Sequence, residues 1–216
     1  MLTLVIGNKN LSSWSLRPWL LLRHFGIAFS ERMLPLDTPE FEAGIAALSP
    51  NRRVPALHRD ELIVWDSLAI CEYVNETFLD GRGWPDDADA RAQARSAAAE
   101  MHSGFAALRT QLPMNCSRTP EGRHWDGEAA RDIERIQQLW RTLDSAHGKD
   151  GPFLCGEFGI VDAMFAPVAV RFVGYGVGLD ETARGFVDAI HALPAFREWH
   201  AAALAETTQA PPDLSP

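Results

Sequence analysis

Asn10-Leu11-Ser12-Ser13-Trp14-Ser15-Leu16-Arg17-Pro18-Trp19 is the stretch whose reading decides the first half of this chain. It follows an apolar segment, 2–6, that reads as a strand, and its serines stand just before an apolar run predicted to be a helix over 15–25. A helix start leaves backbone N–H groups unpaired and carries the positive end of the macrodipole, so it favours an anion at its mouth. A thiolate is one such anion. A free thiol ionises near pH 8.5, and a helix start lowers that by about a unit or more. A hydroxyl aimed at the sulfur adds a hydrogen bond that favours the charged form. Ser12 is the candidate donor; it is equally an ordinary N-cap for this helix.

Outward from this stretch, element types alternate. A second strand is predicted over 28–34 and a short helix over 39–48. Val54-Pro55-Ala56-Leu57 and Leu62-Ile63-Val64-Trp65 then pair as a hairpin around Arg59-Asp60-Glu61, and a third helix starts near Asp66. The order β-α-β-α-β-β-α is that of an α/β unit. Pro55 cannot donate to a sheet ladder, so it marks an edge, a first residue or a special turn. Either Val54-Pro55 is a plain strand start, or the Val54 backbone is open to an extended peptide. Asp66-Ser67 are natural helix caps; the same pair suits a ligand bearing an ammonium and a carboxylate.

From Asp80 to Asp89 the chain turns to Gly, Pro and Asp, the composition of a linker. Beyond it no strand signal appears. Ala98, Met101, Phe105, Leu108 and Leu112 are spaced for one long amphipathic helix, and Ala130, Ile133, Ile136, Trp140 and Leu143 for a second. A surface loop is expected over 113–126, further helices over 160–174, 181–191 and 194–206, and a loose Pro-rich tail over 210–216. The fold class is therefore α/β plus all-α, with domains at 1–80 and 88–216.

Composition narrows the function. The 216 residues are 46% hydrophobic with a formal net charge of −9, enough apolar material for two small cores and the wrong sign for phosphate contacts. Nucleic acid is not an expected partner. No apolar run reaches the roughly 18 residues that span a bilayer, so the expectation is no membrane association and a cytoplasmic location. Cys71, Cys116 and Cys155 form no Cys-x-x-Cys pair, and the histidines show no metal-ligand spacing, so neither a disulfide framework nor a metal is expected.

Taken together, Ser12-Ser13-Trp14-Ser15-Leu16-Arg17, Arg52-Arg53-Val54-Pro55-Ala56-Leu57 and Asp66-Ser67-Leu68-Ala69-Ile70 resemble the N-terminal domain of the glutathione transferases, and the first run is most similar to the serine-type zeta class. The resemblance implies a thioredoxin-like domain that binds glutathione as co-substrate, a helical-bundle domain that receives a small hydrophobic electrophile, and a homodimer. It assigns catalysis to Ser12 and glutathione binding to Ser13, Arg53, Val54, Asp66 and Ser67; position along the chain places the co-substrate pocket at Met101 and Phe105 of the first long helix with Leu11 or Trp14 opposite, and Arg171 either meets an acidic co-substrate or forms an interior ion pair. Three departures stand out: Trp14 replaces the zeta cysteine, Arg52 replaces a common glycine, and in Gly159-Ile160-Val161-Asp162 a glycine replaces the hydroxyl residue of a capping box, leaving Asp162 as a structural residue. A zeta-like cis-trans isomerase and a non-catalytic ligand-binding protein are the rival expectations.

Overall fold

The structure, a computed structural model, describes residues 1–120, 124–149 and 151–207. The tail expected over 210–216 lies outside the described residues. The first part runs β1 (Leu2–Ile6), α1 (Ser13–His24), β2 (Ser30–Met33), α2 (Pro39–Ile45), β3 (Ala56–Arg59), β4 (Leu62–Trp65) and α3 (Ser67–Phe78). Its mixed sheet has the order β2-β1-β3-β4, with β1 parallel to β2 and antiparallel to β3, and β4 antiparallel to β3. This is the thioredoxin-like architecture. Alternation along β1 splits the sheet's two faces: Leu2, Leu4 and Ile6 join the main core under α1 and α3, while Val5 faces Leu34, Ile45, Leu48 and Ala56 around α2.

The second part is helical: α4 (Ala88–Ser103), α5 (Ala106–Gln111), α6 (Gly127–His147), α7 (Ile160–Gly174), α8 (Glu181–Ala192) and α9 (Pro194–Thr207). The helix expected through Ala98 and Leu112 is two helices. Gly104 ends α4, where any Cβ would lie 2.8 Å from the Glu100 carbonyl oxygen, and Phe105 turns through a positive φ of 60° before α5. The Leu108 amide at the start of α5 is capped from another helix, by Asp132 Oδ2 at 2.9 Å.

α7 is buried along nearly its whole length and packs on α1, α4 and α8, so one apolar core runs through both parts. Gly159 and Asp162 explain its start. Ile160 donates its N–H to the Gly83 carbonyl of the linker, and a Cβ on Gly159 would stand 2.8 Å from that same oxygen, leaving no room for the expected hydroxyl. Asp162 accepts from the Gly159 amide at 2.8 Å and the Leu154 amide at 3.0 Å. Burial pushes its carboxyl up to about 7 against the pull of those amides. Among the described residues no helix is long and apolar enough to cross a membrane, and no cluster of metal-ligating side chains occurs.

Candidate functional site

Two helix starts, those of α1 and α3, and the turn before β3 carry the residues singled out above. Ser12 is the N-cap of α1, and only 5% exposed. Its Oγ accepts the Ser15 amide at 3.4 Å, a long bond, and donates to Ser15 Oγ at 2.7 Å. Ser15 Oγ in turn accepts from the Gly7 amide, tying the cap to the end of β1. The apolar residues Leu16, Trp19, Leu20 and Leu22 bury this helix against the core, and Gly26, at φ 67°, ends it.

The approach to Ser12 is held from the second domain. Lys9 and Asn10 donate their amides to Glu206 Oε1 and Oε2 at 3.0 and 3.1 Å, and Trp199 Nε1 donates to the Lys9 carbonyl at 2.9 Å. Asn10 also accepts from the Cys116 amide through its carbonyl and from the Ser117 amide through its side chain. Leu11 is 46% exposed and Ser13 is buried.

Asp66 caps α3 from a positive φ of 76°, a strained position for a non-glycine residue. Its Oδ1 takes the Leu68 and Ala69 amides at 2.9 and 3.3 Å, and its Oδ2 stands 3.2 Å from His102 Nε2 on α4. Ser67 is fully buried; its Oγ accepts from Arg17 Nη1 at 3.3 Å. The Val54–Pro55 bond is cis, immediately before β3, which is an inner strand. Val54 is half-buried, Arg53 is exposed, and Arg52 lies 3.6 Å from Glu42.

Around Trp14 the structure gathers two arginines and a histidine. The Arg17 and Arg109 guanidiniums lie over the Trp14 ring, 4.4 and 4.9 Å from its centre, and the His102 ring meets it edge-on at 5.3 Å. Arg17 is fully buried with Nε and Nη2 unpartnered; burial first, then Arg109 and Arg171, hold it well below the usual arginine range. Arg171, 4% exposed, donates to the Leu112 and Pro167 carbonyls, and burial brings it down to about 9. Burial also lowers His102, against the pull of Asp66, favouring the neutral imidazole.

Met101 is wholly buried in the core and Phe105 nearly so, whereas Leu11 and Trp14 reach the surface. Arg109 and His102 were not foreseen: both reach Trp14 from the second domain, and no local pattern in the sequence announces that contact. A recess of about 590 Å³ at the opposite end of α1, lined by His24, Phe25, Trp84, His147 and Phe158, holds none of these groups. All three thiols are pushed up by burial, Cys116 and Cys155 to about 12, so none serves as a thiolate.

Residues 11–77 match the family described as Glutathione S-transferase, N-terminal domain, and residues 88–202 its C-terminal domain. Glutathione S-transferase GstB of Escherichia coli is 29% identical over 145 residues, 66% of this chain and 69% of that protein. Glutathione S-transferase L1 of Arabidopsis thaliana is 24% identical over 157 residues, 72% of this chain and 61% of the relative. Among solved structures, a glutathione transferase homologue from Burkholderia with bound glutathione superposes with a TM-score of 0.71 at 23% identity, covering 97% of this chain and 99% of that one. A maleyl pyruvate isomerase described as a bacterial zeta-class glutathione S-transferase gives 0.72 at 22% identity over 93% and 97%. At such identities the likeness is one of fold.

Proposed function

Since this chain belongs to the glutathione S-transferase family and is a glutathione-dependent enzyme, we propose that it is a serine-type transferase in which Ser12 stabilises the glutathione thiolate. The observation that carries this reading is the Ser12 cap itself: its hydroxyl stands at the mouth of α1 and holds the Ser15 amide only at 3.4 Å. Rotated toward a ligand sulfur, its O–H would favour the anion together with the helix start. The sulfur then forms a bond to an electrophilic carbon as the leaving group departs with its electron pair, or attacks a peroxide oxygen as the O–O bond breaks and the alkoxide leaves with its pair, the resulting sulfenic acid condensing with a second glutathione to give the disulfide and water.

In this reading 1–80 binds glutathione and 88–216 receives the electrophile. The Val54 backbone pairs with the cysteinyl unit, Arg53 and Ser13 assist, and Asp66 and Ser67 take the γ-glutamyl end, the ligand ammonium replacing His102 at Asp66 Oδ2. Leu11, Trp14, Phe105 and Arg171 border the co-substrate, with Met101 behind them. We assign the working form to a cytoplasmic homodimer; Leu62 and Trp65, half-exposed on edge strand β4, leave apolar surface there for a second copy.

A second reading has one observation in its favour. Arg17, Arg109 and Arg171 act on one another electrostatically and, among the described residues, hydrogen-bond no carboxylate, with Asp66 and Asp132 pulling on Arg17 and Arg109 only from farther off. That field suits an acidic co-substrate, as a zeta-like cis-trans isomerase of the maleylacetoacetate type would require. Retention on immobilised glutathione, followed by turnover of an aryl halide, an organic peroxide and maleylacetoacetate by wild type and Ser12→Ala, tests both. Conjugation lost in the variant supports the transferase; turnover of the diketo acid alone supports the isomerase. Binding without any turnover would leave a ligand-binding protein.

A further inference from the structure

The grip of α9 on Lys9 and Asn10 joins the last helix to the segment that leads into Ser12. Trp199 and Glu206 are seven residues apart, two helical turns, and so share one face of α9. Both fasten the same short segment. Trp199 Nε1 donates to the Lys9 carbonyl at 2.9 Å, and the Glu206 carboxylate spans the Lys9 and Asn10 amides at 3.0 and 3.1 Å. An acid in the last turn of a helix sits at the negative end of the macrodipole, where it is disfavoured, and α9 has no basic residue there to offset it. The two amides of the other domain account for its place.

From Asn10 the chain has two residues to reach Ser12, and the Leu11 and Ser12 amides are spent on the Asn8 carbonyl. The conformation of 8–12 therefore sets where the Ser12 hydroxyl points, and Glu206 fixes that conformation from outside the domain. We propose that Glu206 is a positioning residue for the Ser12 hydroxyl, acting through the Lys9 and Asn10 backbone. This rests on the role of Ser12 proposed above. The sign of the effect separates positioning from charge. A carboxylate near the site would by itself raise the thiol pKa of bound glutathione, so its removal would lower it. Loss of positioning raises it instead, because the hydrogen bond that favours the thiolate is weakened.

The test is the pH titration of bound glutathione, followed by thiolate absorbance, with the pH profile of kcat/KM for an aryl halide, in wild type, Ser12→Ala, Glu206→Ala, Glu206→Gln and Glu198→Gln. Lys9, Glu31, Arg23, Cys116 and His200, the charged and titratable groups packed about the grip, are unchanged throughout. Glu198 lies on the same helix and pairs with Arg23, away from the Lys9 and Asn10 amides, so its variant should follow wild type. Glu206→Ala is expected to raise the bound thiol pKa by about half a unit to one unit, and to lower kcat several-fold near pH 6.5 with the gap closing by about pH 9. Glu206→Gln keeps one acceptor and should fall between; it also serves if the alanine variant folds poorly. A shift with Ser12→Ala but none, or a downward one, with both Glu206 variants overturns the positioning role while leaving Ser12 intact. No shift with Ser12→Ala overturns the proposal beneath it.

Discussion

The starts of α1 and α7 solve the same problem in opposite ways. At α7 every local device is spent on the fold: Gly159 lets the linker carbonyl of Gly83 approach, and Asp162, fully buried, takes two amides at ordinary distances. At α1 the cap is a serine whose bond to its own helix is long and whose hydroxyl lies beside a second hydroxyl, that of Ser15. Helix starts are identical sources of unpaired N–H groups and positive potential. What differs is whether the protein spends that potential on itself or leaves it for a ligand.

If that contrast holds, the two caps should separate stability from activity. The largest effect is expected from Asp162→Ala, which strands two buried amides and should cost about 3 kcal/mol in urea unfolding at pH 6, with kcat per folded molecule unchanged. Ser12→Ala should do the reverse, lowering kcat about 100-fold, roughly 2.7 kcal/mol, while unfolding shifts by only ~0.5–1 kcal/mol. A variant that lost stability and activity in the same proportion would erase the distinction.

Titration sharpens it. The folded-state carboxyl of Asp162 lies near 7, above its ordinary value of 3.8. Between those values the folded chain holds a proton that the unfolded chain has released, so the contribution is complete below about pH 4 and lost as pH rises through about 7. Stability curves from pH 4 to 7.5 should slope downward more steeply in wild type than in Asp162→Asn. The smallest effect belongs to Gly159→Ala, whose Cβ would press on the Gly83 carbonyl oxygen; about 1–2 kcal/mol of stability should be lost without a change in kcat. An unaffected unfolding midpoint would show that the linker yields.

Most of the α/β half could be read from residue pattern, because its strands alternate and its turns carry local signals: β1 and β4 fall where Leu2 to Ile6 and Leu62 to Trp65 placed them. The break between α4 and α5 could not. Apolar spacing runs unbroken from Ala98 to Leu112, and the cap that makes a new start possible comes from Asp132, 24 residues beyond Leu108. The site shows the same limit. Ser12 and Asp66 announce themselves as caps next to the helices they serve, whereas His102 and Arg109 reach Trp14 across a domain boundary. Glu206 reaches Lys9 from 197 residues away, a distance at which side-chain pattern carries no information about partners.

That last span has a temporal meaning. During synthesis the Lys9 and Asn10 amides are made long before their partner, and they meet Glu206 only when the last turn of α9 has been made. A nascent chain thus carries the segment before α1 without the carboxylate that holds it, and the grip closes only once both parts have been made.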